Sequence, residues 1–296
     1  MRENFDIDGV KDVVLDTDAF NEIDDQYAIA YLIRSNDQLN TCAFYAAPFT
    51  NEKSNGPKDG MEKSYNEILK LLKLADASYP VFKGSERYLE DENTPVISPA
   101  AEDLAKRAMK YTPERPLYVA AIGAITNVAS AILLNPEIKD RIVVVWLGGH
   151  AKHYISSYDF NMQQDVAAIR VVMKSGVRFV QLPGFGVVSE FRISKPELEY
   201  WLLNKNPLAD YLARNTIREA ESYASGKPWS RVIWDVTAIV WLLNHDDCFM
   251  EWKKEPLFLP DYNGWYEEKP LKHTYCFVYR IKRDELMQDL ITKLTQ

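Results

Sequence analysis

Short apolar runs rich in β-branched residues alternate with amphipathic stretches along most of this chain, and that alternation restricts its fold more than any other feature. Val13-Val14-Leu15 stops at Asp16 and is followed, after a loop, by DDQYAIAYLIRS at 24–35, where apolar side chains recur on a helical face. The same grammar returns as CAFYAA (42–47) then MEKSYNEILKLLKLA (61–75), and as LYVAAIGA (117–124) then ITNVASAILL (125–134). It continues as IVVVWLGG (142–149) then QQDVAAIRVVMKSG (163–176), and VRFVQLPG (177–184) then a helical region over 194–224. Strands apolar on both faces need cover on both faces. The pattern therefore predicts an α/β fold: an open, Rossmann-like, mostly parallel central sheet with helices on both faces. KPLKHTYCFVYRI (269–281) alternates as a terminal strand, with a short helix after it. No repeat or linker interrupts the 296 residues, which are read as one domain over 1–296.

A formal charge of −8 leaves no basic surface for a phosphate backbone, so no nucleic-acid partner is expected. The opening MRENFDIDGV lacks the apolar core of a signal peptide, and no apolar run is long enough to cross a bilayer, which predicts a cytoplasmic protein without a membrane partner. Cys42, Cys248 and Cys276 are widely spaced and odd in number. They are expected to be core thiols rather than a disulfide framework or zinc site.

In sheets of this kind ligands collect at the carboxyl ends of the strands. There, between Asp16 and Asp25, the chain sets five carboxylates: Asp16, Asp18, Glu22, Asp24 and Asp25. Such a group repels itself unless a cation neutralises it or some members bind protons. All-oxygen ligands on a short loop suit calcium or magnesium. Asp24 and Asp25 have a second reading as caps of their helix, which leaves Asp16 and Asp18 unexplained. Two further polar segments follow strand ends, at 49–60 and 149–160, the second a candidate mobile lid.

DTDAFNEIDDQYAIAYLI (16–33) resembles the amino-terminal signature of the inosine-uridine nucleoside hydrolases, with D-x-D, a turn, a D-D pair and an apolar helix. Three blocks follow in the family's order: IGAITNVASAI (122–132), WLGGH with DFNMQQDVAA (146–150, 159–168), and VIWDVTAIVWLL (232–243). Five residues separate Asp18 from Asp24, against three in the best-known members, so this loop must bulge outward and the places of Asn21 and Glu22 are open.

The resemblance implies hydrolysis of the N-glycosidic bond of ribonucleosides. Ca²⁺ would be held by Asp18, Asp25, Asp235 and the Thr126 carbonyl, and Asp18 would be the general base. Asp24, Asn161 and Asp159 would grip the sugar, with Asp16 supporting the metal. Asp159 stands where most members have a longer glutamate. Taken alone, Thr126 and Asn127 also read as a helix start, and Asn161 and Asp235 as helix N-caps. Trp234 occupies the place of a leaving-group histidine, which implies stacking on a purine base; its other reading is core packing. His150 and His153, in the supposed lid, are the candidate acids for the leaving base, whereas His245 and His273 carry no motif. A small-molecule nucleoside is the implied partner, and a homo-oligomer is compatible with the chain. Two other classes fit parts of the sequence: a haloacid dehalogenase-type phosphatase using Asp16 and Asp18 of D-x-D, and a non-catalytic nucleoside or sugar sensor on the same fold.

Overall fold

A computed structural model describes residues 9–154 and 156–296, so the leader expectation for the first ten residues falls mostly outside it. The chain runs β1 (Lys11–Thr17), α1 (Asp24–Ile33), β2 (Leu39–Ala46), α2 (Pro57–Leu74), β3 (Val81–Lys83), α3 (Pro99–Arg107), β4 (Leu117–Ala121), α4 (Thr126–Leu134) and β5 (Ile142–Leu147). It continues with α5 (Phe160–Gln164), α6 (Val166–Ser175), β6 (Arg178–Leu182), β7 (Arg192–Ser194), α7 (Lys195–Trp201), α8 (Pro207–Ala224), β8 (Ser230–Val232), α9 (Val236–Leu242), β9 (Met250–Pro256), β10 (Thr274–Ile281) and α10 (Arg283–Leu294). The eight-stranded sheet has the order β3-β2-β1-β4-β5-β6-β10-β9; all neighbours are parallel except β9 and β10.

That order follows from the handedness of the crossovers. β1 and β2 step one way across the sheet and β4 and β5 the other, so right-handed connections put their helices on opposite faces. Accordingly α1 packs on α2, α8, α9 and α10, while α4 packs on α3 and α6. β4 and β5 are buried along their whole lengths, as strands covered on both sides must be. The strand order reverses between β1 and β4, which opens a crevice beyond their carboxyl ends. Asp16 pairs in register with Ala121 at that point.

The expected helical region over 194–224 is two helices, because Asn206 caps a new one at Pro207. Likewise the stretch at 163–176 is split by Asp165, which caps α6. The short strands β3, β7 and β8 and the helix α3 lack a periodic signal long enough to read. The core-thiol expectation holds for Cys276 alone: Cys42 is partly exposed and Cys248 exposed. Cys42 lies in the first half of β2, where burial alternates, and Cys248 follows a surface turn at 245–247. Among the described residues no helix is long and apolar enough to cross a membrane.

Candidate active site

β1 ends in Asp16-Thr17 and Asp18 follows, all three buried, before the five residues that lead to α1. Asp16 points into the protein, where Asn127 Nδ2 donates to its Oδ1 at 2.8 Å. Asn127 also donates to the Ala46 carbonyl at 3.3 Å and accepts from the backbone and hydroxyl of Ser85 at 2.8 and 2.9 Å. One amide thus ties together the ends of β1, β2 and β3. Burial pushes the Asp16 carboxyl up to about 7 against this hydrogen bond.

Asp18 faces the crevice. A Cβ on Gly123 would come within 2.9 Å of Asp18 Oδ1, so the glycine after β4 is what lets the two strand ends approach. Asp24 and Asp25 begin α1, yet neither caps it: the N-cap position is Ile23, and no side chain makes the capping bond. Asp235 occupies the N-cap position of α9 and makes no capping bond either. Instead carboxylate oxygens of Asp24, Asp25 and Asp235 lie within 4.8 Å of one another, all buried. Thr17 donates its hydroxyl to Asp25. Burial first, then the charges of Asp25 and Asp24, hold Asp18 well above the usual carboxylate range. Asp24 is raised by burial and by Glu22 and Asp25, and Asp235 by burial and by Asp24, Asp25 and Asp18. Asp25 is pushed up to about 7 by burial.

Asp18 Oδ2 and Asp24 Oδ1 are buried with no hydrogen-bond partner among the described residues. Carboxylates crowded this closely, with orphaned oxygens turned to one crevice, have the donor chemistry of a hard divalent cation site. Thr126 and Asp16 do not line the cavity. Thr126 starts α4, and its hydroxyl is held by Asp165 at 2.7 Å, which in turn accepts from Leu89 N and Ala168 N at 2.9 Å each.

The cavity over the cluster has a volume of about 370 Å³. Asn161 reaches it from α5. Its Nδ2 donates to the carbonyls of Ile122 and Leu147, 3.0 Å each, which leaves Oδ1 as its polar atom for a ligand. The capping role considered for Asn161 belongs to Asp159, whose carboxylate accepts from Met162 N at 2.9 Å. Burial raises Asp159 to about 6.

The opposite wall is aromatic. Trp234, half-buried against the core, meets Phe185 edge-on at 5.4 Å, and Phe185 meets the His150 ring at 4.9 Å. Of the two lid histidines only His150 lines the cavity; His153 packs on Tyr154, beside a second cavity. The Phe185 N–H donates to His150 Nδ1 at 3.2 Å, so the single proton of the neutral ring sits on Nε2. Burial lowers the His150 pKa below its ordinary value. From the 149–160 segment, His150, Tyr158, Asp159 and Phe160 line the cavity. The segment is tied down by Ala151 N to Phe185 O (3.0 Å), Ser157 N to Gly264 O (2.9 Å) and Tyr158 OH to Asp261 O (3.0 Å).

The widened loop also reaches the cavity. Asn21 and Glu22 both line it, and Arg231 Nη2 grips Glu22 at 2.9 Å. Phe185, Gly123 and the Asn127 and Asp165 braces were not read from the sequence. Phe185 alone carried a signal, since it lies just beyond the carboxyl end of β6.

The model of the inosine-uridine preferring nucleoside hydrolase family matches residues 13–274. The non-specific ribonucleoside hydrolase RihC of Salmonella enteritidis is 25% identical over 221 residues, covering 64% of this chain and 70% of that protein. The pyrimidine-specific ribonucleoside hydrolase RihA of Salmonella newport is 23% identical over 168 residues, 56% and 50% of the two chains. Among solved structures, a plant nucleoside hydrolase superposes with TM-score 0.74 at 16% identity, over 96% of this chain and 99% of its own. A purine-preferring ribonucleoside hydrolase from Gardnerella vaginalis does so with TM-score 0.72 at 17% identity, over 96% and 98%. These structural likenesses speak to the fold. The family match spans the aspartate loop, the α4 start, the Asn161 block and Asp235 together, and the chain therefore belongs to the inosine-uridine preferring nucleoside hydrolases, enzymes of ribonucleoside hydrolysis.

Proposed function

We propose that this enzyme hydrolyses the N-glycosidic bond of ribonucleosides, purine nucleosides in preference, at a Ca²⁺ site built on its aspartate cluster. The observation that carries this reading is the meeting of Asp24, Asp25 and Asp235, with Asp18 beside them, under an aromatic wall. Asp18, Asp25 and Asp235, with the Thr126 carbonyl, are the ligands that would hold the cation. When bound, it supplies the positive charge that keeps these carboxylates ionised, acidifies the attacking water and draws the ribose diol to the cluster.

Asp18 takes the proton of the water that attacks the anomeric carbon, and the hydroxide adds as the bond to the base breaks. The remaining negative charges face the positive charge that develops on the ribose. Asp24, through its unpartnered Oδ1, and Asn161, through Oδ1, accept from sugar hydroxyls. Asp159, occupied as a cap, sits at the rim of that contact. Trp234 stacks on the base. His150 offers Nε2–H as a hydrogen-bond donor. An imidazolium there would set a second N–H against that of Phe185, so the departing base takes its proton from solvent.

Two results are expected. Trp234→Ala should lose roughly 1 to 3 kcal/mol of purine transition-state binding and less with uridine, read as kcat/KM for inosine and uridine in both proteins. Equal losses, or a parent that favours uridine, would make Trp234 a packing residue only. His150→Ala should leave the basic limb of the kcat pH profile in place; its disappearance would make His150 the acid. Release of reducing sugar from inosine, adenosine and uridine also separates an enzyme from a nucleoside sensor. The phosphatase reading gains nothing from the family match.

A further inference from the structure

Between β9 and β10 the chain makes a hairpin over 257–271 that reaches the cavity wall. Its two arms pair through Leu271 N to Leu257 O at 2.7 Å, Glu267 N to Leu259 O at 2.8 Å and Asp261 N to Trp265 O at 2.7 Å. Asp261 Oδ1 closes the tip by accepting from Asn263 N and Trp265 N at 2.8 and 2.9 Å. The tip docks on the segment that precedes α5. Gly264 O accepts from Ser157 N at 2.9 Å and from Ser156 Oγ at 3.1 Å, and Asp261 O accepts from Tyr158 OH at 3.0 Å. Gly264, at φ +94°, comes so close that a Cβ there would lie 3.2 Å from Ser156 Oγ. Ser157 O in turn accepts from His150 N at 3.1 Å. Residues 156–158 belong to no helix or strand, so these bonds set where Tyr158 and Asp159 stand on the cavity wall.

On its other side the hairpin is held by one residue of α6. Arg170 Nη1 donates to the Pro260 carbonyl at 2.6 Å and pairs with Glu267 at 2.7 Å, one contact on each arm, while its Nε pairs with Glu92 at 2.7 Å. The side chain is only 11% exposed, so salt screens these contacts weakly. Glu92 also takes Lys174 and, at 3.0 Å, the hydroxyl of Tyr262 in the hairpin tip. A guanidinium fork reaches Glu92 and both arms at once, which the point charge of a lysine does not.

We infer that Arg170 is a positioning residue for this reaction: it locks the hairpin to α6, and the hairpin holds Tyr158 and Asp159 ready on the cavity wall. The inference rests on the reading of this cavity as the ribonucleoside site. Without the lock the wall must be ordered as the substrate binds, and that cost falls on binding rather than on the chemical step.

The test measures kcat and KM for inosine in the parent, Arg170→Gln, Arg170→Lys, Tyr158→Phe and the Arg170→Gln/Tyr158→Phe double variant, with calcium present. Arg170→Gln should raise KM roughly threefold to tenfold, the cost of ordering one or two side chains, and leave kcat within about twofold of the parent. Arg170→Lys should fall between the two. KM does not depend on how much of a sample is folded, so partial unfolding cannot imitate the result. Tyr158→Phe cuts the same linkage at its other end, so the double variant should raise KM by less than the product of the single effects. Amide exchange supplies the second readout: in Arg170→Gln the Ser157, Trp265 and Glu267 amides should exchange faster while those of β4 and β5 do not. Unchanged KM in Arg170→Gln, a loss confined to kcat, or single effects that simply multiply would overturn the role of Arg170. A parent that hydrolyses no ribonucleoside with calcium present would overturn the underlying reading instead.

Discussion

Replacing Asp18 with asparagine is expected to lower kcat by about 10²-fold or more while the fold survives. Asparagine keeps the shape of a side chain that is buried and closely approached by Gly123, so packing at the β1 and β4 ends is preserved. What disappears is the proposed proton acceptor for the attacking water. The substitution also removes an ionisable carboxyl from a buried group that repels itself, so the cation-free protein should melt no lower than the parent. Because Asp18 is also a proposed ligand, calcium affinity must be titrated on the same sample. Turnover near that of the parent with calcium still bound would remove Asp18 from the base role. Lost turnover that returns fully at higher calcium would make it a ligand only.

The second large effect is on stability. In the cation-free protein Asp16 and Asp25 are held up to about 7 and Asp159 to about 6, with Asp18, Asp24 and Asp235 raised as well, burial being the first cause in each. The unfolded chain ionises these groups near the ordinary carboxylate value, so between about pH 4 and pH 7 the folded state binds more protons. Its stability must then fall as pH rises through that window. Asp16 alone contributes on the order of 2 to 3 kcal/mol between about pH 5 and pH 7. In a chain of this size that is a drop in Tm of roughly 3 to 5 °C. Glu92 and Glu197, held below the usual range by their lysine and arginine partners despite partial burial, act in the opposite sense at lower pH. They offset part of that gain on the acid side. Calcium, binding the ionised cluster in the folded state, should flatten the upper slope. Thermal melts across this range with chelator and with calcium are the measurement. A Tm indifferent to pH above about 5, or a slope that calcium leaves unchanged, would contradict the ionic state argued for this site.

Much of the architecture was written in local pattern. Apolar runs such as Val13–Leu15 and Ile142–Leu147 are buried on both faces because helices cover both, and a fully covered strand has no polar side to show in its sequence. Elements of three residues, such as β7 and β8, leave no period to read and exist because they pair with each other. The aspartates announced themselves by their density at a strand end, and Trp234 and Asp235 by their place before an apolar helix.

The sequence by itself determined which chemistry is available: carboxylates after β1, Asn161 and Asp235 at two later helix starts, and tryptophan where a histidine was the alternative. Tertiary structure alone decided how these groups are used, because their roles depend on distances between segments more than a hundred residues apart. It turned Asp24 and Asp25 away from helix capping and toward Asp235, and gave the capping bond of α5 to Asp159 rather than Asn161. It also set the His150 proton on Nε2 through the Phe185 backbone. A hydrogen bond has direction as well as range, and direction is settled only when the partner, often on a distant strand or loop, is in place.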